Sequence, residues 1–234
     1  MSAEPAQTQV GVRSRLVPER VPDRPDAAVL VLHGGGSRGA EMAVSPVQLS
    51  VLRMIPVAQR IAHAGRGRLA VFRLLNSVRG WDSRHTPADD ARWALEELAG
   101  RFGGGLPVGL VGHSLGGRAA LLAGDAPTVR SVVALAPWLY PDDAAGRLAG
   151  RQVLFVHGER DRVARIGNAV TVAGKLAPDA RVGFVRVSGG THAMLRRHRY
   201  FDGLAADFAV ATLLGSPVDG PVAAVLGGRR WLEI

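Results

Sequence analysis

Short apolar runs rich in β-branched residues alternate along the chain with longer segments of helical spacing. The runs are typical of buried strands, and they lie at residues 27–32, 69–74, 108–111, 129–135, 153–156 and 182–187. The helical segments lie at residues 51–64, 87–99, 117–123, 166–176 and 200–214. This alternation predicts an α/β fold, with a mainly parallel sheet covered by helices on both faces.

The two ends of the chain carry weaker patterns. Residues 1–24 are expected to form an N-terminal edge segment, in which residues 8–17 predict one or two antiparallel edge strands. Residues 216–234 form a tail with an apolar run and Trp231, which we expect to dock on the body of the molecule or on a second copy. Because no linker or internal repeat interrupts the chain, all 234 residues are expected to form a single domain.

One helix start is strongly marked. Thr86 is expected to cap the exposed amides, and Pro87 suits the first turn. Asp89 and Asp90 favour the positive end of the helix dipole. The pattern therefore predicts a helix that begins here.

The amino-acid composition and net charge exclude several classes of protein. The chain has no cysteine, which excludes a disulfide scaffold and a cysteine nucleophile. Its net charge of +9 would suit nucleic acid, but the arginines are scattered without interleaved aromatic residues, so no nucleic-acid partner is expected. The basic cluster at 196–199 is interpreted as a solvated helix start. No signal peptide or membrane-spanning run is apparent, which predicts a cytoplasmic protein.

A serine stands in a strand-turn-helix context. The segment 108–120 reads VGLVGHSLGGRAA, so Gly112 and Gly116 flank Ser114 at a spacing of two residues. This is the Gly-x-Ser-x-Gly nucleophile elbow, a turn too tight for Cβ atoms at the glycines. The N–H of Leu115 then becomes one oxyanion donor. The alternative is an ordinary loop serine between glycines, in a chain with 30 glycines.

A base and an acid follow in the required order. Asp161 comes after the strand at 153–156, and His192 after the strand at 182–187. Both therefore lie beyond the carboxyl ends of strands, where catalytic groups of parallel sheets gather. The alternatives are a helix-capping aspartate and a surface histidine. Three other carboxylates remain as substitute acids: Glu159, Asp142 and Asp143.

A glycine-rich loop follows the first buried strand. It reads His33, Gly34, Gly35, Gly36, Ser37, and backbone amides there can approach a substrate oxygen without an intervening side chain. Gly35 is the first choice of oxyanion donor and Gly36 the second, and a plain tight turn is the alternative. A phosphate loop is excluded because no Gly-Lys-Ser/Thr ending follows. No histidine pair has metal-ligand spacing, so no metal is expected.

Together these four signals resemble the α/β-hydrolase superfamily over about residues 27–215. The resemblance implies Ser114, Asp161 and His192 as the catalytic triad, a mostly parallel sheet of about eight strands, no cofactor, and hydrolysis through an acyl-enzyme. Many members carry a helical cap, but residues 137–151 leave no room for one. The loop at 37–50 is expected to cover the mouth of the site instead.

Three residues are candidates for lining the apolar pocket of a small-molecule acyl substrate, with core packing as the alternative: Trp138, Leu139 and Tyr140. Trp81 lies with Arg79 and Arg84 in the loop after another strand, where they could receive an anionic or aromatic part of the substrate, with solvated arginines as the alternative. The expected reaction is hydrolysis of a carboxylic ester or thioester. Acyl transfer, cyclisation or thioester release in a biosynthetic pathway is a second hypothesis, and a non-catalytic binding module on the same fold is a third. The oligomeric state, including a homodimer, is left open.

Overall fold

The structure, a computed structural model, describes residues 14–36, 42–143 and 148–234. Its strands are β1 (Arg15–Arg20), β2 (Ala27–Leu32), β3 (Leu69–Leu75), β4 (Val108–His113), β5 (Val129–Leu135), β6 (Gln152–Gly158), β7 (Arg181–Val187) and β8 (Trp231–Glu233). Its helices are α1 (Leu49–Leu52), α2 (Met54–Ala64), α3 (Thr86–Phe102), α4 (Leu115–Ala123), α5 (Ile166–Leu176), α6 (His198–Leu214) and α7 (Gly220–Leu226). A short 3₁₀ helix spans Leu195–Arg197.

These strands form one eight-stranded sheet in the order β1-β3-β2-β4-β5-β6-β7-β8. Only the pairing of β1 with β3 is antiparallel, and every other neighbouring pair is parallel. The predicted mostly parallel sheet of about eight strands is thereby confirmed. Of the segment predicted at 8–17, residues 8–13 lie outside the described residues. An antiparallel edge strand is observed, but β1 spans Arg15–Arg20 and so ends three residues beyond the predicted range.

Helices cover both faces of the sheet. Successive residues of β2 alternate between the two sides, as the pleat requires: Ala28, Leu30 and Leu32 belong to the core that includes residues of α3, α4 and α5, whereas Ala27, Val29 and Val31 belong to the core that includes residues of α2, α6 and α7. Every residue of β2 and of β4 is buried. This double burial explains why the strands read as unbroken apolar runs.

Two helix predictions need correction. The segment predicted as one helix at 51–64 is divided into α1 and α2, because Pro56 has no N–H to donate to the Leu52 carbonyl.

Thr86 is the first residue of α3 and not its cap. Its N–H donates to Asp82 Oδ1 at 2.8 Å, so the side chain of Asp82 caps the helix. Asp90 is buried and accepts the N–H of Ser77 at 2.8 Å.

The C-terminal tail packs on its own chain. Its apolar run forms α7, and Trp231 begins β8, which extends the sheet beside β7. The Trp231 ring stacks on Phe184 with centroids 4.4 Å apart. Of the two docking alternatives, the structure therefore shows the first. Among the described residues, no helix is both long and apolar enough to cross a membrane.

Candidate active site

Ser114 lies in a sharp turn between β4 and α4. β4 ends at His113 and α4 begins at Leu115, so Ser114 alone connects the two elements, with φ 55° and ψ −119°. A positive φ is costly for a residue with a side chain, and such strain is found at functional sites. A Cβ on Gly112 would overlap the Gly116 carbonyl, and one on Gly116 would overlap the Leu32 carbonyl. Glycine is therefore required on both sides of Ser114.

The side chains of Ser114, His192 and Asp161 form one hydrogen-bonded chain. Ser114 Oγ is 3.0 Å from His192 Nε2, and His192 Nδ1 is 2.8 Å from Asp161 Oδ2. Asp161 follows β6 and His192 follows β7, so all three residues come from the carboxyl ends of parallel strands. When Nδ1–H donates to Asp161, Nε2 is left to accept the serine proton. The structure thus brings together the three residues that the motifs single out.

The Asp161 carboxylate is fully enclosed and saturated with donors. Its Oδ1 accepts the backbone N–H groups of Val163 at 2.8 Å and Ala164 at 2.9 Å, and its Oδ2 lies 3.2 Å from His157 Nε2. Burial alone would raise the pKa of Asp161, but the hydrogen bonds from His157, His192 and Ala164 more than offset it and hold the pKa below its ordinary range. Asp161 therefore stays ionised beside His192.

Two buried side chains hold the backbone around His192. His113 Nε2 is 3.0 Å from the His192 carbonyl oxygen, and the two imidazole rings lie 4.8 Å apart. Arg53 Nε donates to the Ala193 carbonyl at 2.8 Å, and its Nη1 donates to Asp202 at 3.0 Å. Burial lowers the pKa of His113 to about 3, so its ring is neutral and Nε2–H is the donor. The position of the His192 ring is thus fixed from two neighbouring elements.

The buried His113 predicts that the fold is sensitive to acid. Burial lowers its pKa from 6.5 to about 3, and burial also lowers the pKa of His33. Below pH 6.5 the His113 imidazole is protonated in the unfolded chain, whereas in the folded chain it stays neutral down to about pH 3. The free energy of unfolding therefore falls as the pH falls through this window. We expect a loss of about 1 kcal/mol per pH unit from such a histidine, measured by urea denaturation across the window.

The variant His113→Gln separates this contribution from that of other groups. Glutamine can still donate to the His192 carbonyl but does not titrate, so the slope of unfolding free energy against pH should become shallower. His63→Gln is the matched control, because His63 is exposed near the end of α2. An equal slope in wild type and His113→Gln would contradict the prediction.

Among the described residues, no acceptor is found for the backbone N–H groups of Leu115 and Gly35. A Cβ on Gly35 would overlap the Arg79 carbonyl and would lie 3.0 Å from the Leu115 side chain, so the two residues are neighbours. The N–H of Gly36 donates to the Arg79 carbonyl at 3.2 Å. The geometry therefore favours Leu115 and Gly35 over Gly36 as donors to a substrate oxygen.

The four predicted substrate-binding residues have different environments. Leu139 is 5% exposed and belongs to the core, as the packing alternative expects. Trp138 and Tyr140 form an edge-to-face pair with ring centroids 5.1 Å apart, and the backbone N–H of Trp138 donates to the Ser114 carbonyl at 3.1 Å. Trp81 is partly buried against the same core. Unlike Leu139, the aromatic pair is therefore accessible to solvent, and its backbone is bonded to that of Ser114.

Arg118, one turn into α4, is a site residue that sequence reasoning misses. Its Nη2 donates to Asp143 Oδ1 at 2.9 Å, and both side chains are buried. Its guanidinium lies 4.2 Å from the Trp81 ring centroid and 4.8 Å from that of Tyr140. Asp143 also accepts the Tyr140 N–H at 2.8 Å. The ion pair fixes the loop that carries the aromatic pair, and the only signal for it is an arginine inside an otherwise apolar helix.

Comparison with known proteins gives structural matches only. No family model matches the sequence, and no curated protein matches it. An α/β serine hydrolase homologue from Coxiella burnetii matches with a TM-score of 0.61 and 16% identity, over 82% of this chain and 89% of that one. Est1E from Butyrivibrio proteoclasticus, solved with ferulic acid bound, matches with a TM-score of 0.63 and 12% identity, over 86% and 96%. A lidless α/β serine hydrolase from Xanthomonas campestris matches with a TM-score of 0.62 and 19% identity, over 87% and 90%.

The chain therefore has the α/β-hydrolase fold, in the form without an inserted cap domain. The connection between β5 and β6 spans residues 136–151 only, which agrees with the lidless neighbour. At these identities the likeness defines the fold alone, and the chemistry has to follow from the geometry of the site.

Proposed function

We propose that this chain is a serine hydrolase that cleaves a carboxylic ester or thioester through an acyl-enzyme on Ser114. The observation that carries the proposal is the unbroken hydrogen-bonded chain from Ser114 Oγ through His192 to Asp161, beside two unengaged N–H groups. Two of the structural neighbours are described as a serine hydrolase or as a homologue of one, which supports the same reaction class.

In the first half-reaction His192 Nε2 takes the proton of Ser114 while Oγ attacks the substrate carbonyl carbon. The N–H groups of Leu115 and Gly35 stabilise the oxyanion of the tetrahedral intermediate. Asp161 holds the imidazole in the required tautomer and stabilises the imidazolium without taking its proton, which agrees with the lowered pKa of this carboxyl group.

Collapse of the intermediate breaks the bond from carbon to the leaving oxygen or sulfur, and His192 gives its proton to that atom. In the second half-reaction His192 activates water, which attacks the acyl-enzyme and releases the carboxylic acid and free Ser114. No cofactor is needed at any step. The aromatic pair of Trp138 and Tyr140 is proposed to line the acyl side of the site.

Labelling with a fluorophosphonate probe tests the proposal, because only an activated serine hydroxyl attacks the phosphorus centre. We expect one adduct per chain, on the peptide that contains Ser114, and no adduct after denaturation. Ser188→Ala, a substitution in the loop after β7, is the matched control and should label as the wild type does. Absence of labelling would favour a non-catalytic binding module instead.

A panel of chromogenic esters of graded acyl length would then define the acyl preference. Product analysis by mass spectrometry, with and without an amine or alcohol acceptor, separates hydrolysis from acyl transfer. Release of free acid in the presence of the acceptor supports the hydrolase, whereas exclusive formation of the acceptor conjugate would favour an acyltransferase.

A further inference from the structure

Four arginines gather around the loops that carry Asp161 and His192. Arg160 and Arg162 flank Asp161, and Arg196 and Arg197 lie in the 3₁₀ helix after His192. All four are exposed, and none forms an ion pair with a described residue. We call these four residues the arginine cluster. The sequence pattern at 196–199 predicts a solvated helix start. The fold brings Arg196 and Arg197 from this segment close to the loop that carries Arg160 and Arg162.

The arginine cluster borders two adjoining cavities. One, of about 540 Å³, is lined by Arg160, Gly189, Gly190, Thr191 and residues 194–197. The second, of about 430 Å³, contains His192 and is lined by Arg160, Arg162, Val163, Thr191 and Ala193. They share Arg160 and Thr191 and therefore adjoin each other, and His192 lines the second. We call the two together the cleft.

Among the described residues that line the cleft, there are four arginines and no carboxylate. The neighbouring Glu159 is already engaged, because it accepts the Gly189 N–H at 2.8 Å and pairs with Arg186 at 3.1 Å. A cleft lined by charges of one sign concentrates ligands of the opposite sign, and guanidinium groups match the geometry of phosphate oxygens.

The proposed mechanism decides which part of a substrate meets this cleft. His192 must protonate the leaving atom, so the leaving group departs within reach of His192 Nε2. His192 lines the second cavity, and the first adjoins it at Arg160 and Thr191. A leaving group that extends from His192 into the cleft meets the arginine cluster.

We infer that the substrate is an ester or thioester whose leaving alcohol or thiol carries phosphate groups, which the arginine cluster binds. This inference rests on the proposed function and adds the chemical class of the leaving group. The reaction stays balanced as before: the acyl bond to oxygen or sulfur breaks, His192 supplies the proton, and the phosphorylated alcohol or thiol leaves intact.

Two pairs of probes test it, each with the same butyryl group. The thioester pair is butyryl-coenzyme A and butyryl-N-acetylcysteamine, and the ester pair is 1-butyrylglycerol 3-phosphate and 1-butyrylglycerol. We expect kcat/KM for at least one phosphorylated member to exceed that of its neutral partner by about tenfold or more. Added salt should reduce this ratio, because it screens exposed charges. The pair that shows the preference identifies the source of the phosphate.

The double variant Arg160→Gln/Arg197→Gln should bring the ratio down by about tenfold. Arg229→Gln/Arg230→Gln is the matched control, since these exposed arginines precede β8 and therefore lie at the opposite edge of the parallel sheet. It removes the same charge and should keep the wild-type ratio. A fall of equal size in both double variants would overturn the inference, because it would reflect net charge alone.

The outcomes separate this inference from the proposed function. If p-nitrophenyl butyrate is hydrolysed but neither phosphorylated probe is preferred over its neutral partner, the arginine cluster is not a leaving-group site and the serine hydrolase stands. If no ester or thioester is hydrolysed and the fluorophosphonate does not label Ser114, the proposed function itself fails.

Discussion

Ser114→Ala is expected to lower kcat/KM for ester hydrolysis by roughly 10⁴-fold or more. The hydroxyl oxygen is the atom that forms the acyl-enzyme, and alanine leaves His192 with no proton to accept at this position. The substitution removes one oxygen from a residue that is 8% exposed, so the fold should persist. Steady-state kinetics with a chromogenic ester, together with thermal unfolding, measure both effects.

Ser188→Ala serves as the matched control for this loss as well, because it removes a hydroxyl from a loop at the same edge of the sheet. It should keep wild-type kinetics. Turnover by Ser114→Ala at a rate close to that of wild type would remove Ser114 from the mechanism. A loss of activity with a matching loss of folded protein would show a structural role only.

The strands and the nucleophile turn could be predicted because each depends on a local pattern. The predicted bounds of β2 and β5 are confirmed. β2 is buried on both faces and therefore continuously apolar, whereas β5 has an apolar run, Val132–Leu135, that follows the exposed Arg130. Gly112 and Gly116 mark the turn because carbonyl groups occupy the space where their Cβ atoms would lie. Local sequence therefore contained the fold class and the candidate nucleophile.

The supports of the site could not be predicted because they join residues far apart in the chain. Arg53 and Asp202 are separated by 149 positions, and His113 meets the His192 carbonyl across 79. Arg53 and Asp202 lie in no motif, and His113 occupies the unspecified position between Gly112 and Ser114 of the elbow, which gives no sign of its partner. A buried arginine also cannot be distinguished by sequence from the many other arginines of this chain. The role of Arg118 likewise depends on its bond to Asp143, which lies in a loop without a periodic pattern of apolar residues.

In the His192 loop the backbone and the side chain have separate roles. The His192 loop is held through its backbone carbonyls by His113 and Arg53, whereas the His192 side chain bonds to Ser114 and Asp161 and, within the part of the chain that the structure describes, to no other residue. The backbone anchors leave both ring nitrogens free for the proton relay. A position fixed in this way costs little reorganisation when charge develops on the imidazole.

Asp161→Asn is expected to lower kcat by about 10⁴-fold while the fold is kept. The amide group of asparagine can donate to His192 Nδ1, which would place the imidazole proton on Nε2, facing Ser114. In that tautomer Nε2 cannot accept the serine proton, and the carboxylate that stabilises the imidazolium is also lost. Steady-state kinetics measure the loss, and circular dichroism checks the fold.

Glu159→Gln is the matched control, because it neutralises an acid two residues away in the same loop. Its carboxylate binds the Gly189 N–H and Arg186 and not His192, so kcat should stay within about twofold of wild type. The other substitute acids are also engaged elsewhere: Asp142 pairs with Lys175 at 2.7 Å, and Asp143 pairs with Arg118. The two substitutions remove the same charge from one loop, but only the Asp161 carboxylate bonds to the His192 ring. A large loss of activity in Glu159→Gln, with normal kinetics in Asp161→Asn, would therefore assign the role of the acid to Glu159.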